Sequence, residues 1–208
     1  IIISIMECYF FGTFNPVHLG HVEIARKVKE LAGFDKVIFV PSYMPPHKIE
    51  GLASYADRLE MARLAVGAEN VSDIEKHLRV PSYTYRTIEK LYEQNNNQKI
   101  NFIIGYDQFF KLESWKEPEI LKEKINFVVI PRKFQNGQIM GAAAFKYFEN
   151  KGFSFQILNI DFLDISSSMI RNMVQNGYDI AGLTTKEVRH YIENNRLYTK
   201  MAGREFIN

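Results

Sequence analysis

Hydrophobic and polar positions along the chain alternate between strand-like runs and helix-like periods. Met6 to Phe11 is a short apolar-rich run, followed by Gly12-Thr13-Phe14-Asn15-Pro16, whose Gly and Asn-Pro favour a turn. From about Leu19 to Ala32 the apolar residues Val22, Ala25, Val28 and Ala32 recur at helical spacing, with Gly33 placed to stop the helix. Lys36 to Val40 is a β-branched run ended by Pro41, and its apolar centre predicts a strand covered on both faces, as in a parallel sheet. Ser42 to Leu52, containing Pro45-Pro46, is irregular. Ser54 to Val66 predicts a helix with Ser54 as its N-cap and Gly67 beyond its end. Val71 to Ile74 reads as a short strand, and Ser82 opens a helix reaching about Glu93. Lys99 to Gly105, Asn126 to Ile130 and Phe153 to Leu158 read as further strands. Gly141 to Asn150, Ser166 to Gln175 and Thr185 to Asn195 read as helices.

Strands separated by helices predict an α/β fold with a mostly parallel sheet flanked by helices and a small helical extension over about 165–198. No linker or internal repeat interrupts the pattern, so residues 1–208 are expected to form a single domain. Composition adds little to this and removes several classes. Lys and Arg number 26 against 24 Asp and Glu, a net charge of +2, which gives no bulk electrostatic case for a nucleic-acid partner. The single cysteine, Cys8, excludes an intrachain disulfide and suits a reducing, cytoplasmic setting. Ile1 to Met6 is apolar but is broken by Glu7 and is far too short to span a bilayer, so no membrane association is expected. Met6 is a candidate start residue, with Ile1 to Ile5 preceding it.

The chemistry is most legible in the first turn. His18 and His21 stand three apart, a spacing that puts both imidazoles on one face of a helix's first turn. A helix N-terminus favours anions through its free N–H groups and dipole. Two imidazoles and the Thr13 hydroxyl beside it make a site for a phosphate that gains charge in a transition state. Gly20 between the histidines is expected to let a ligand approach the backbone. The plain alternative is that His18 caps the loop and His21 is a solvated helix residue. A second candidate phosphate element is Ser166-Ser167-Ser168-Met169-Ile170-Arg171: hydroxyls open a helix and a guanidinium fork follows. Serines before a helix also serve simply as caps.

These segments resemble the HxGH and ISSTxIR motifs of class I nucleotidyltransferases, with Ser168 in the Thr place and Phe11 where that family often has a second glycine. The resemblance implies a Rossmann-like sheet. It also implies nucleotidyl transfer in which His18, His21 and Arg171 are catalytic, with Gly12, Thr13, Phe14, His18, His21, Gly105, Asp107, Ser166, Ser167 and Arg171 around ATP. Three middle segments are similar to nicotinate-nucleotide adenylyltransferases in particular. In Pro41 to Lys48, the residues His47 and Lys48 can meet a mononucleotide phosphate, or else belong to a solvated loop. In Pro81 to Thr87, Ser82 caps a helix whose first N–H groups can hold a carboxylate, which gives Ser82, Tyr83 and Thr84 a role in acceptor binding, or else it is a plain capped helix. Gly105-Tyr106-Asp107 follows a strand, and Trp115 can stack on a pyridine ring or else be partly buried against the domain. Arg132 is a further candidate near the triphosphate.

The implied reaction is adenylyl transfer from ATP to nicotinate mononucleotide, giving nicotinate adenine dinucleotide and pyrophosphate in NAD biosynthesis. Mg²⁺ is expected to arrive with ATP, since no carboxylate cluster offers a dedicated metal cage. The alternatives are a pantetheine-phosphate adenylyltransferase, a cytidylyltransferase, or a non-catalytic nucleotide-binding module. The lack of GxGxxG after the first strand speaks against a dehydrogenase. A homo-oligomer is compatible with the sequence.

Overall fold

The computed structural model describes residues 5–47, 50–131 and 142–199. Its centre is a five-stranded sheet in the order β2-β1-β3-β4-β5, with every pairing parallel. The strands are β1 (Glu7–Gly12), β2 (Lys36–Pro41), β3 (Ile100–Gly105), β4 (Ile125–Ile130) and β5 (Ser154–Ile157). Parallel strands need crossovers, and the chain supplies α1 (Leu19–Ala32) and α2 (Tyr55–Val66), then α3 (Thr84–Gln94), α4 (Tyr106–Phe109) and α5 (Pro118–Lys124). After β4 come α6 (Ala142–Asn150), α7 (Ser167–Gln175) and α8 (Lys186–Asn194).

Burial on both faces explains the near-continuous apolar runs of β2 and β4. Side chains alternate between two cores. Ile103 and Val128 join Val28, Met61, Ile170, Val188 and Ile192 on one face. Phe102, Ile104, Phe127 and Val129 join Ile88, Leu91, Phe109 and Leu121 on the other. The second core is rich in aromatics: the Phe109 ring lies 4.9 to 5.8 Å from those of Phe127, Phe145, Phe148 and Phe155. The closing helices belong to the first core, since Ile170, Val188 and Ile192 are at most 1% exposed. Each such side chain contributes about 1.5–3 kcal/mol through burial.

The strand expected at Val71 to Ile74 is not formed. Val71 makes one isolated parallel bridge to Phe39, and Ile74–His77 is a 3-10 turn. The cause is Glu75, which turns inward to accept from the Tyr43 N–H and the Thr87 hydroxyl and so draws the segment off the sheet edge. The two short helices α4 and α5 lacked a periodic signal because each spans two turns or fewer.

The strand order reverses between β1 and β3. In open α/β sheets, ligands bind in the crevice at the carboxyl ends of the strands flanking such a reversal. Here those ends are Gly12 and Gly105.

Candidate functional site

β1 ends at Gly12 because the chain must fold back at once. Phe14 adopts φ +49°, a conformation uncommon outside glycine, and lays its ring over Gly12; a Cβ there would come within 2.9 Å of Phe14 Cζ. Asn15 is buried and uses both ends of its amide. Nδ2 donates to the Gly51 carbonyl at 3.0 Å, while Oδ1 accepts from the Ala53 N–H at 3.0 Å and the Tyr198 hydroxyl at 2.8 Å.

His18 is the N-cap residue of α1, and its backbone N–H donates to Nδ1 of His21 at 3.2 Å. An accepting Nδ1 leaves the proton of neutral His21 on Nε2, so His21 presents an Nε2–H donor. The two rings stack at 3.6 Å with 27° between their planes. Phe10 and Phe14 face the His21 ring at 5.8 and 5.1 Å. Burial lowers the His18 pKa to about 4, and burial together with the neighbouring His18 holds His21 well below the usual range. His18 Nδ1 is buried without a hydrogen-bond partner among the described residues. His18 thus stands at the N-cap position but makes no side-chain cap hydrogen bond, and His21 packs between aromatic rings instead of standing in solvent.

Gly20 corrects one expectation. The space beside it is taken by the chain itself, not left for a ligand: a Cβ would lie 2.9 Å from the Leu163 carbonyl oxygen and 3.1 Å from His18 Nδ1. The glycine lets the segment before α7 cross the start of α1.

The two phosphate elements from opposite ends of the chain meet. Ser166 caps α7, its hydroxyl accepting from the Met169 N–H at 3.2 Å. Ser167 Oγ donates to the Pro16 carbonyl at 2.8 Å, and Arg171 Nη1 donates to the Asn15 carbonyl at 2.9 Å. Arg171 Nη2 also reaches Ser168 Oγ at 3.3 Å. These contacts use two of the five N–H donors of a guanidinium.

The remaining candidates surround a cavity of about 940 Å³ at the switch point. Gly12, Thr13 and Gly105 line its sheet side, and His47, Ser82, Tyr83, Thr84 and Trp115 line its other walls. Phe11 and Phe102, stacked at 4.6 Å and 17°, form an aromatic pair in the lining. The Phe11 side chain thus belongs to the cavity wall. Among the described lining residues the ionisable groups are His47, Lys111, Lys116 and Tyr83, with no Asp or Glu, so the lining suits an anion. Phe14, His18, His21, Asp107, Ser166, Ser167 and Arg171 do not line this cavity; all but Asp107 gather around the turn that Thr13 shares with it. Asp107 is exposed on α4. Lys48 and Arg132 lie outside the described residues.

Ser82 is not the expected cap. Helix α3 begins at Thr84 with Tyr83 at its N-cap. Ser82 instead pairs with Met44, accepting from its N–H through Oγ at 2.9 Å and donating its own N–H to the Met44 carbonyl at 2.8 Å. This zips the two acceptor-side segments together. Sequence reasoning also missed Arg58 and Glu75, 1% and 3% exposed. Arg58 had a signal: it shares a face of α2 with Ala62 and Ala65 at helical spacing. The exposed cavity cations Lys111 and Lys116 had none.

Residues 9–173 match the model of the cytidylyltransferase-like family. A protein of Borreliella afzelii named "Probable nicotinate-nucleotide adenylyltransferase" is 33% identical, over 92% of this chain and 96% of its own length. One of Desulfatibacillum aliphaticivorans with the same name is 36% identical, over 90% and 96%. The fold is similar to that of Plasmodium falciparum nicotinic acid mononucleotide adenylyltransferase complexed with NaAD, with a TM-score of 0.73 at 22% identity over 92% of this chain and 96% of that one.

Proposed function

The chain belongs to the cytidylyltransferase-like family and, within it, to the nicotinate-nucleotide adenylyltransferases, and we propose on that footing that it transfers the adenylyl group of ATP to nicotinate mononucleotide. The products are nicotinate adenine dinucleotide and pyrophosphate, and the setting is NAD biosynthesis in the cytoplasm. Among the described residues no helix is long and apolar enough to cross a membrane. The observation that carries the reading is the contact of Ser167 and Arg171 with the carbonyls of Pro16 and Asn15, beside a cavity whose charged lining groups are cations.

The mononucleotide phosphate attacks the α-phosphorus in line. A bond forms from its oxygen, and the bond from that phosphorus to the bridging oxygen breaks with release of pyrophosphate. The nucleophile is already an anion at neutral pH, so the protein's task is positioning and charge stabilisation. The His21 Nε2–H, the remaining Arg171 donors and the N-terminal N–H groups of α7 are groups of the right kind to receive the leaving charge. The acceptor is assigned to the cavity beneath Trp115, with Tyr83 and Thr84 at the start of α3 facing its carboxylate. Among the described residues no group of three His, Cys, Asp or Glu side chains could hold a metal, and the ion of this reading is Mg²⁺ carried by the triphosphate. Such an ion would supply charge neutralisation at the departing pyrophosphate.

The test is pyrophosphate release from ATP with nicotinate mononucleotide, nicotinamide mononucleotide and phosphopantetheine in parallel. Release is expected chiefly with the first. Release with phosphopantetheine alone overturns the acceptor assignment.

A further inference from the structure

We infer that Arg58 and Glu75 are a buried pair of positioning residues, in which Glu75 shapes the acceptor wall alone and Arg58 couples that wall to the triphosphate turn. The inference rests on the reading above for the names of the two substrates.

The geometry converges on Tyr43. Its N–H donates to Glu75 Oε2 at 3.0 Å, and its carbonyl accepts from Arg58 Nη2 at 3.3 Å. The next residue, Met44, is held by Ser82 through both of its backbone groups. Two consecutive residues thus have all four polar backbone groups fixed immediately before Pro45, Pro46 and His47, which line the cavity. Glu75 Oε1 accepts from the Thr87 hydroxyl at 3.1 Å, which ties the same carboxylate to α3, the helix whose start forms another wall. Every Glu75 contact named here is on the acceptor side.

Arg58 reaches further. Nη1 donates to the Thr13 carbonyl at 2.8 Å, in the turn that carries the histidines, and Nε donates to the Ala53 carbonyl at 3.2 Å, in the segment held by Asn15. Among the described residues no carboxylate stands within ion-pair distance of this guanidinium. A buried charge held by backbone carbonyls and the Tyr55 ring, with no carboxylate paired to it, is an expensive way to hold a fold. What it supplies is a planar fork that fixes three separate loops relative to one another, which a flexible ammonium cannot do.

The pair therefore makes a differential prediction. Steady-state kinetics are measured with ATP and nicotinate mononucleotide varied independently. Glu75→Gln is expected to raise KM for the mononucleotide about 10-fold, the scale of one lost positioning hydrogen bond, and to leave KM for ATP within about twofold. Arg58→Met is expected to raise both, and Arg58→Lys to recover neither. Thr87→Val removes one Glu75 contact and keeps the Tyr43 one, so it should raise the mononucleotide KM less than Glu75→Gln does and leave KM for ATP in place. If Glu75→Gln does not fold, Ser82→Ala replaces it, and should raise the mononucleotide KM alone. Equal effects on both substrates, or none, in Glu75→Gln overturn the inference, as does a Thr87→Val enzyme whose mononucleotide KM rises as far as that of Glu75→Gln. Lack of turnover in the unaltered enzyme overturns the functional reading and this inference with it.

Discussion

The turn at Gly12 to His21 and the cavity beside it are built on opposite plans. Around the turn, polar groups are consumed by the chain: the Asn15 amide holds three partners, Ser167 and Arg171 bind backbone carbonyls, and His21 accepts from His18. Around the cavity, Lys111 and Lys116 are exposed, and the volume of about 940 Å³ is open to a ligand. Stabilising a transition state requires donors that are fixed before the reaction, because reorganising them would cost the energy they supply. Binding a charged acceptor requires room and cations. The two plans match the two halves of an adenylyl transfer, and mutations can test whether the halves separate.

The largest separation is expected from His21→Ala. In the proposed reaction its Nε2–H meets charge only as the transition state forms, so kcat should fall about 10²-fold or more while KM for the mononucleotide stays within about threefold. Single-turnover measurements on the folded variant check this. Unchanged turnover removes His21 from the chemistry, and a change confined to the acceptor KM erases the division between the two regions.

The next effect is on stability, and its loss on acidification should come from the turn. The His18 pKa is lowered from 6.5 to about 4 by burial. Between those values the unfolded chain binds a proton that the native chain refuses, so stability is complete above pH 6.5 and declines as pH falls toward 4. The decline is about 3 kcal/mol for this one residue, which is 6% exposed. His21, whose pKa is lowered by desolvation and by the neighbouring His18, adds loss of the same sign. Denaturant unfolding at several pH values checks it: His18→Asn should flatten the profile, whereas Trp115→Ala should leave its slope intact. A profile that His18→Asn leaves unchanged means that the His18 ring is hydrated.

What the sequence disclosed follows the same division. The turn was legible because histidines and serines at helix starts are local signals, and the chain brings Ser167 and Arg171 to it through contacts of the kind those residues make. The sheet was legible because burial on both faces writes continuous apolar runs. The acceptor wall was less so. Ser82 looks like a cap from its neighbours, yet its partner is Met44, 38 residues earlier. Arg58 is marked only by the helical spacing it shares with Ala62 and Ala65, and its partners are loop carbonyls without a side-chain signature. The Glu75 partners Tyr43 and Thr87 lie 32 residues before it and 12 after it. Gly20 was singled out correctly for its missing side chain, but the group that needs the space is the Leu163 carbonyl, which no local pattern reveals.

The smallest effect tests the other side of the comparison. Trp115 is half-buried, packs against the aromatic core and lines the cavity, so burial and stacking both have a claim on it. They differ in what Trp115→Ala does. If burial were its whole role, the variant would lose stability and both KM values would stay put. Stacking on a flat ring is worth about 1–3 kcal/mol per base, and a pyridine is small, so the low end of that range, about a 10-fold rise in the mononucleotide KM, is expected. The stack is present in ground and transition states alike, so kcat should change little. Trp115→Phe keeps an aromatic face in the same wall and should recover part of the lost affinity, which restored packing alone would not achieve. A fall in kcat at constant KM would move Trp115 out of the acceptor wall and into the chemistry, and the two regions would no longer divide the work between them.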